Sequence, residues 1–172
     1  MLTEIELINH LEDVLVDKLQ FQTYPELTVT SQHLDLQKLI NQDQFRIDLA
    51  AINRIDSSIH FFEAETQLHI KHPALYRIFC DYCYLICPEE QFDLLDSVTK
   101  RQQLSWADEI GIGILTISEK GSLRGRLRSK QQLLKPEIRK EVLNMMNKRY
   151  RIRFVTQPLW ERSHKNQSNV EV

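Results

Sequence analysis

Glycine is scarce in this chain, four residues in 172. None falls in the closely spaced pattern that lets a backbone wrap a nucleotide phosphate, so folds built on such loops are not expected. Cysteine is rarer still. Cys80, Cys83 and Cys87 are odd in number and confined to eight positions, which does not make a disulfide framework. Long apolar runs are also missing: nothing approaches the roughly 20 residues a membrane span needs. The opening Met1-Leu2-Thr3-Glu4-Ile5-Glu6 has neither a basic start nor an apolar stretch and does not read as a signal peptide. A cytoplasmic location without membrane partners is therefore expected.

What is present belongs to a folded protein. The chain is 42% hydrophobic and 27% charged, outside the range of disordered sequences. Its length suits one domain with a respectable core. We read that domain over residues 1–155, with 156–172 as a polar and flexible tail. The net charge of −2 conceals an asymmetry. Residues 1–119 carry 8 Lys and Arg against 20 Asp and Glu, whereas residues 120–153 carry 12 against 2. An acidic body joined to a basic segment suggests a negatively charged partner, nucleic acid foremost; an ordinary basic surface helix and edge strand would give the same counts.

Periodicity supplies the elements. Thr3 and Glu6 form a capping box, and Ile5, Ile8, Leu11, Leu15 and Leu19 recur at helical spacing, predicting a helix over about 4–20. Tyr24-Pro25 reads as a break before a short strand, 27–30. Residues 31–44 read as a loop or short helix. Phe45, Ile47, Leu49 and Ala51 alternate with polar or small residues, which places them on one face of a strand; residues 59–65 are again extended, and the short link predicts an antiparallel hairpin. A helix from Pro73 to about Tyr82 precedes the apolar run Cys83–Cys87, the mark of a strand buried on both faces. A helix over 89–104, a buried strand at 112–117 and a returning strand carrying Arg124, Arg126 and Arg128 follow. Pro136 fits the first turn of a last helix whose stripe is Ile138, Val142, Met145 and Met146. The order implies an α/β sandwich with a mixed sheet covered on both faces.

The hairpin carries the chemistry. Asp48 lies mid-strand among apolar residues, and Glu63 and Glu65, two apart, share a face of the next strand. Three carboxylates on adjacent strands repel unless protonated or bridged by a cation, and oxygen-rich clusters suit Mg²⁺ or Mn²⁺. The plainer alternative is a solvated edge, with Asp48 paired to Arg46 or Arg54. Glu12, on the first helix, is either a further acid or a solvated helix position. His69 and His72 flank Lys71 just past Glu65 and read as ordinary loop histidines. The Cys80-Asp81-Tyr82-Cys83 motif lacks a second pair for zinc, and Cys83 and Cys87 read as small core residues.

Arg46-Ile47-Asp48-Leu49, a short turn, an apolar strand and then Glu63-Ala64-Glu65 resembles the active-site signature of the PD-(D/E)xK, or restriction-endonuclease-like, superfamily. Taken with Tyr76-Arg77-Ile78-Phe79-Cys80-Asp81, Tyr84-Leu85-Ile86-Cys87-Pro88 and Asp108–Ile114, it is similar to the MmcB-like family of bacterial proteins associated with DNA repair, over about residues 45–117. The resemblance implies a three-layer sandwich with a mixed central β-sheet flanked by helices, and metal-dependent hydrolysis of DNA phosphodiesters. It implies Asp48, Glu63 and the backbone carbonyl of Ala64 as ligands to Mg²⁺ or Mn²⁺, with Glu65 beside them as a general base or a further metal ligand. Glu65 stands where that superfamily usually has lysine, so Lys71 is the candidate substitute cation and catalysis rests on Asp48, Glu63, Glu65 and Lys71. Arg124, Arg126 and Arg128, about 6–7 Å apart on one strand face, with Lys148 and Arg149 beyond, would grip the phosphates. The alternative is a catalytically inactive protein of the same fold that binds DNA or a protein partner. A homodimer is compatible with either.

Overall fold

The chain packs its apolar residues into two separate cores, one on each side of a single sheet, in a computed structural model that describes residues 2–30 and 44–156. The sheet has six strands in sequence order: β1 (Phe21–Thr30), β2 (Gln44–Asn53), β3 (Ile59–Ala64), β4 (Tyr82–Pro88), β5 (Ile112–Ile117) and β6 (Leu123–Leu127). It is mixed. β1–β2, β2–β3 and β5–β6 are antiparallel, whereas β3, β4 and β5 run parallel.

Among the described residues, α1 (Glu4–Asp17) covers the first face and buries Leu7, Ile8, Leu11 and Leu15 against Leu49, Ala51, Phe62 and Ile86. The larger core on the second face is closed by α2 (Lys71–Tyr76) and a short 3₁₀ turn (Arg77–Phe79), by α3 (Glu89–Leu94) and α4 (Ser97–Ile110), and by α5 (Pro136–Thr156). Fully buried side chains such as Phe61, Ile47 and Leu85 each contribute about 1.5–3 kcal/mol relative to exposure. The expected α/β sandwich with a mixed, two-sided sheet is therefore present. No helix among the described residues is long and apolar enough to cross a membrane.

The capping box at Thr3 and Glu6 forms as expected, with Thr3 N–H donating to Glu6 Oε2 at 2.8 Å and Glu6 N–H donating to Thr3 Oγ1 at 3.3 Å. The helix it starts is shorter than the periodicity implies. It ends at Asp17; Ile5 and Leu19 are exposed, and Leu7 takes a core place instead. The chain does not break at Pro25, because β1 is an edge strand whose outer N–H groups need no ladder partner. The stretch read as one helix over 89–104 is two: the Asp96 side chain accepts from the N–H groups of Val98 and Thr99, both at 2.9 Å, and starts α4 anew. Pro136 begins α5 as expected, with Ile138, Val142 and Met146 buried. The expectation for 31–43 and for most of the tail lies outside the described residues.

Two glycines hold the centre. Gly111 closes α4 with φ +79°, a conformation that disfavours any side chain. A Cβ on Gly113 in β5 would come within 2.4 Å of the Tyr84 ring and 2.8 Å of the Ser129 nitrogen, so only glycine fits between them.

Candidate functional site

The expected antiparallel hairpin forms, with Leu49 opposite Phe62 and Ala51 opposite His60. Its faces do not follow simple alternation. Phe45 and Ile47 enter the larger core, whereas Leu49 and Ala51 enter the α1 side. β1 changes phase at the same level, with Tyr24 and Leu27, three residues apart, both in the larger core. The pairs Pro25–Leu49 and Leu27–Ile47 leave Glu26 and Asp48 facing each other at the switch, and Glu26 has φ +52°. That left-handed residue turns both strands without shifting their register, a rearrangement alternation alone cannot show.

Asp48 therefore stands where β2 parts from β3, and its Oδ2 accepts from the Ala64 N–H at 2.9 Å. This side-chain bond follows the last ladder pair and satisfies a backbone donor that the splayed strand leaves open. Neither suggested cation pairs with Asp48. Arg46 instead lies 3.7 Å from Glu26, in an exposed contact of little energetic weight. Glu12 is likewise engaged, accepting from the Thr23 hydroxyl at 2.6 Å.

Glu63, on the side of β3 shared with Phe61, is 8% exposed, and its Oε2 is buried with no hydrogen-bond partner. Burial drives its carboxyl up to about 8, and the neighbouring Asp48 charge adds to the rise; a bond from the Asp48 backbone pulls weakly the other way. Asp48 is raised as well, chiefly by burial. Tyr76 of α2, stacked on Phe45 at 4.9 Å between centroids, is pushed up to about 12 by burial and then by the charges of Glu63, Asp48 and Glu65. An acidic pocket thus sits at the carboxyl ends of the parallel strands β3 and β4, where the Glu65 N–H donates to the Ile86 carbonyl at 2.9 Å. The carboxyl ends of parallel strands are where open α/β sheets generally place their ligands.

The ligand-capable group brought closest together is not the one expected from the strands alone. One donor atom each from Glu63, Glu65 and His72 lies within 4.8 Å of the others. His72 is the second residue of α2, and its Nδ1 is 2.7 Å from Glu65 Oε1. Asp48 lies beside this trio, acting on Glu63 through its charge, and its Oδ2 is committed to Ala64. Ala64 is buried at the end of β3. Lys71 is exposed; with Leu68, His69, His72, Gln103 and Trp106 it lines an adjoining recess of about 240 Å³. The unpartnered Glu63 oxygen, the crowding of acids and the nearby imidazole fit a divalent cation.

The basic segment behaves differently. Arg126 Nη2 lies 2.6 Å and Arg124 Nη1 2.8 Å from the same Glu89 oxygen. Arg126 also donates through Nε to the Thr116 hydroxyl at 2.9 Å and lies over the Phe92 ring. A bulge places Arg126 between the pairs Ile114–Leu127 and Leu115–Gly125, so a strict two-residue repeat does not run through the three arginines. Arg128 and Lys148 are exposed. Arg149 falls in the described backbone of α5. Cys80, Cys83 and Cys87 are free and buried, and burial lifts the Cys87 thiol to about 12, far from a reactive thiolate.

The architecture defines the class first: among the described residues, a mixed six-stranded sheet with α1 on one face and α2 to α5 on the other. Among solved structures the chain is similar to the SPO1766 protein of unknown function from Silicibacter pomeroyi, with a TM-score of 0.60 and 14% identity over 100% of this chain and 97% of that one. At that identity the likeness extends to the fold alone. No family model matches the sequence, and neither does any curated protein.

Proposed function

We propose that the protein is a metal-dependent nuclease, or nuclease-like DNA-processing protein, of the restriction-endonuclease-like type, hydrolysing phosphodiester bonds at the end of β3. The single observation that carries the reading is Glu63, nine-tenths buried with a free oxygen beside Asp48 and Glu65. A buried carboxylate among like charges is costly unless a cation or a proton balances it. Glu63 and Glu65 would hold Mg²⁺ or Mn²⁺, with Asp48 steering the charge and fixing the strand end. Such an ion, when bound, supplies an activated water and charge stabilisation at the phosphate. The chain's own residues set the charge of the site, with Tyr76, stacked on Phe45, within reach of the Glu63, Asp48 and Glu65 carboxylates. Exposed Arg128 and Lys148 would contribute phosphate contacts. DNA repair in the cytoplasm is the setting this reading favours.

A second reading has its own support. Glu65, at the position where the superfamily usually has lysine, bonds His72 rather than offering a positive charge. A protein that binds DNA or a protein partner without turnover follows if no other cation serves. Incubating supercoiled and single-stranded DNA with Mg²⁺ or Mn²⁺ separates the two. Cleavage that disappears in Glu63→Ala supports the nuclease; salt-sensitive binding without cleavage supports the binder.

A further inference from the structure

The donor set at the end of β3 contains a nitrogen. Glu63 and Glu65 come from the strand and the residue after it, and His72 is brought over by α2, so three separate backbone positions converge within 4.8 Å. Glu63 supplies a buried oxygen with no partner, whereas the His72 side chain is 61% exposed. The site therefore has an orphaned acceptor at its floor and an open side where water or substrate oxygen can exchange.

We propose that Glu63, Glu65 and His72 form one cation site whose imidazole selects a first-row transition ion, Zn²⁺ or Mn²⁺, over Mg²⁺ and Ca²⁺. This inference rests on the reading of the acidic pocket as a cation site and goes further by naming the class of ion. Mg²⁺ takes oxygen ligands in a near-ideal octahedron, and an imidazole is a poor substitute for one of them. Zinc and its neighbours accept imidazole readily, and for a shared N,O donor set affinity rises from Mn²⁺ to Zn²⁺. The trio that converges offers two carboxylates and one imidazole, and Asp48 stands outside it with its Oδ2 accepting from the Ala64 N–H. The Glu65–His72 contact at 2.7 Å holds the imidazole at the pocket before any ion arrives. Two carboxylates with a third charge behind them match a dication. The three thiols take no part: they are buried in the larger core.

The test uses the full chain stripped of metal by chelation. Mn²⁺ binding is followed by loss of the free-ion paramagnetic signal, Zn²⁺ by competition with a chromophoric chelator, and Mg²⁺ by its ability to displace Mn²⁺. The expected result is one Mn²⁺ per chain, tighter Zn²⁺, and less than half displacement by a hundredfold excess of Mg²⁺. His72→Ala, at an exposed position, weakens Mn²⁺ by about tenfold or more while leaving the weak Mg²⁺ binding nearly unchanged. His72→Asp, which restores an oxygen, brings Mg²⁺ towards parity with Mn²⁺. Unchanged Mn²⁺ affinity in His72→Ala, or displacement by Mg²⁺ at equal concentration, overturns the inference. Mn²⁺ binding unaffected by Glu63→Gln overturns it together with the carboxylate site. Selective binding without DNA cleavage upholds it and removes only the nuclease.

Discussion

At the carboxyl end of β3, Asp48, Glu63 and Glu65 crowd together, and among the described residues no lysine or arginine bonds any of them. Along β6 the opposite holds: Arg124 and Arg126 share Glu89, and Arg126 adds Thr116 and the Phe92 ring. Both regions stand out in the sequence as like charges on strand positions. Only the acidic one is left electrostatically open once folded, and the difference lies in the partners that tertiary structure brings, not in the spacing of the charges. Charge that is already balanced serves the fold. Charge buried without balance needs a ligand or a proton, and so marks a site.

The largest effect expected from this contrast is on pH-dependent stability. Glu63 titrates at about 8 when folded against 4.5 when unfolded, so the folded state holds its proton over that interval and the unfolded state does not. Its contribution is fully present below 4.5 and is lost as pH rises through 8. The metal-free protein should weaken between those limits by a few kcal/mol, at about 1.4 kcal/mol per pH unit at the steepest. Glu63→Gln should flatten the dependence and stabilise the protein at pH 8 by about 2–3 kcal/mol, read by urea denaturation at pH 5 and pH 8. Equal slopes for the two proteins would remove the contrast.

Asp48 gives a second, smaller handle. Asp48→Asn keeps an acceptor for the Ala64 N–H and deletes the neighbouring charge that raises Glu63, so the fall in stability with pH should become smaller and end at a lower pH. Asp48→Ala leaves the N–H at the end of β3 unpaired and should cost about 1–2 kcal/mol at pH 5, where the charge effect is small.

On the basic side, Glu89→Ala should cost about 1–2 kcal/mol, because the half-buried Arg126 loses its nearest carboxylate and keeps only Asp93, at 3.6 Å, as a charged partner. Arg124→Ala, at a mostly exposed side chain, should stay within about 0.5 kcal/mol by the same denaturation measurement. The smallest structural change belongs to Arg128. Arg128→Glu should leave the unfolding midpoint in place and lower DNA affinity, reducing the slope of log affinity against log salt by about one contact. A stability loss without a change in DNA binding would assign Arg128 to the fold as well.

The antiparallel hairpin was legible because a short turn between two extended runs is a local signal, and it brings the Asp48 charge to bear on Glu63. The α5 start at Pro136 and the box at Thr3 were legible for the same reason. The phase switch at Asp48 was not, since it depends on a left-handed Glu26 in a different strand. Pro25 read as a break because nothing local says that β1 is an edge. The split at Asp96 was available in the sequence, where Asp96 precedes Ser97-Val98-Thr99 as a helix cap, but the apolar spacing of Phe92, Leu95 and Val98 masked it. His72 stayed hidden because it is seven residues beyond Glu65, and only the return of the chain as α2 folds it back. Its sequence signal was faint: a histidine just past the acid pair.

The central claim is that the Glu63 pocket is a cation site, and thermal unfolding at pH 8 with and without saturating Mn²⁺ tests it most directly. The wild type should gain several degrees on adding the ion, because ligand that binds only the folded state stabilises it, and Glu63→Gln should gain almost nothing. Equal shifts in the two proteins, or none in the wild type, would contradict the claim.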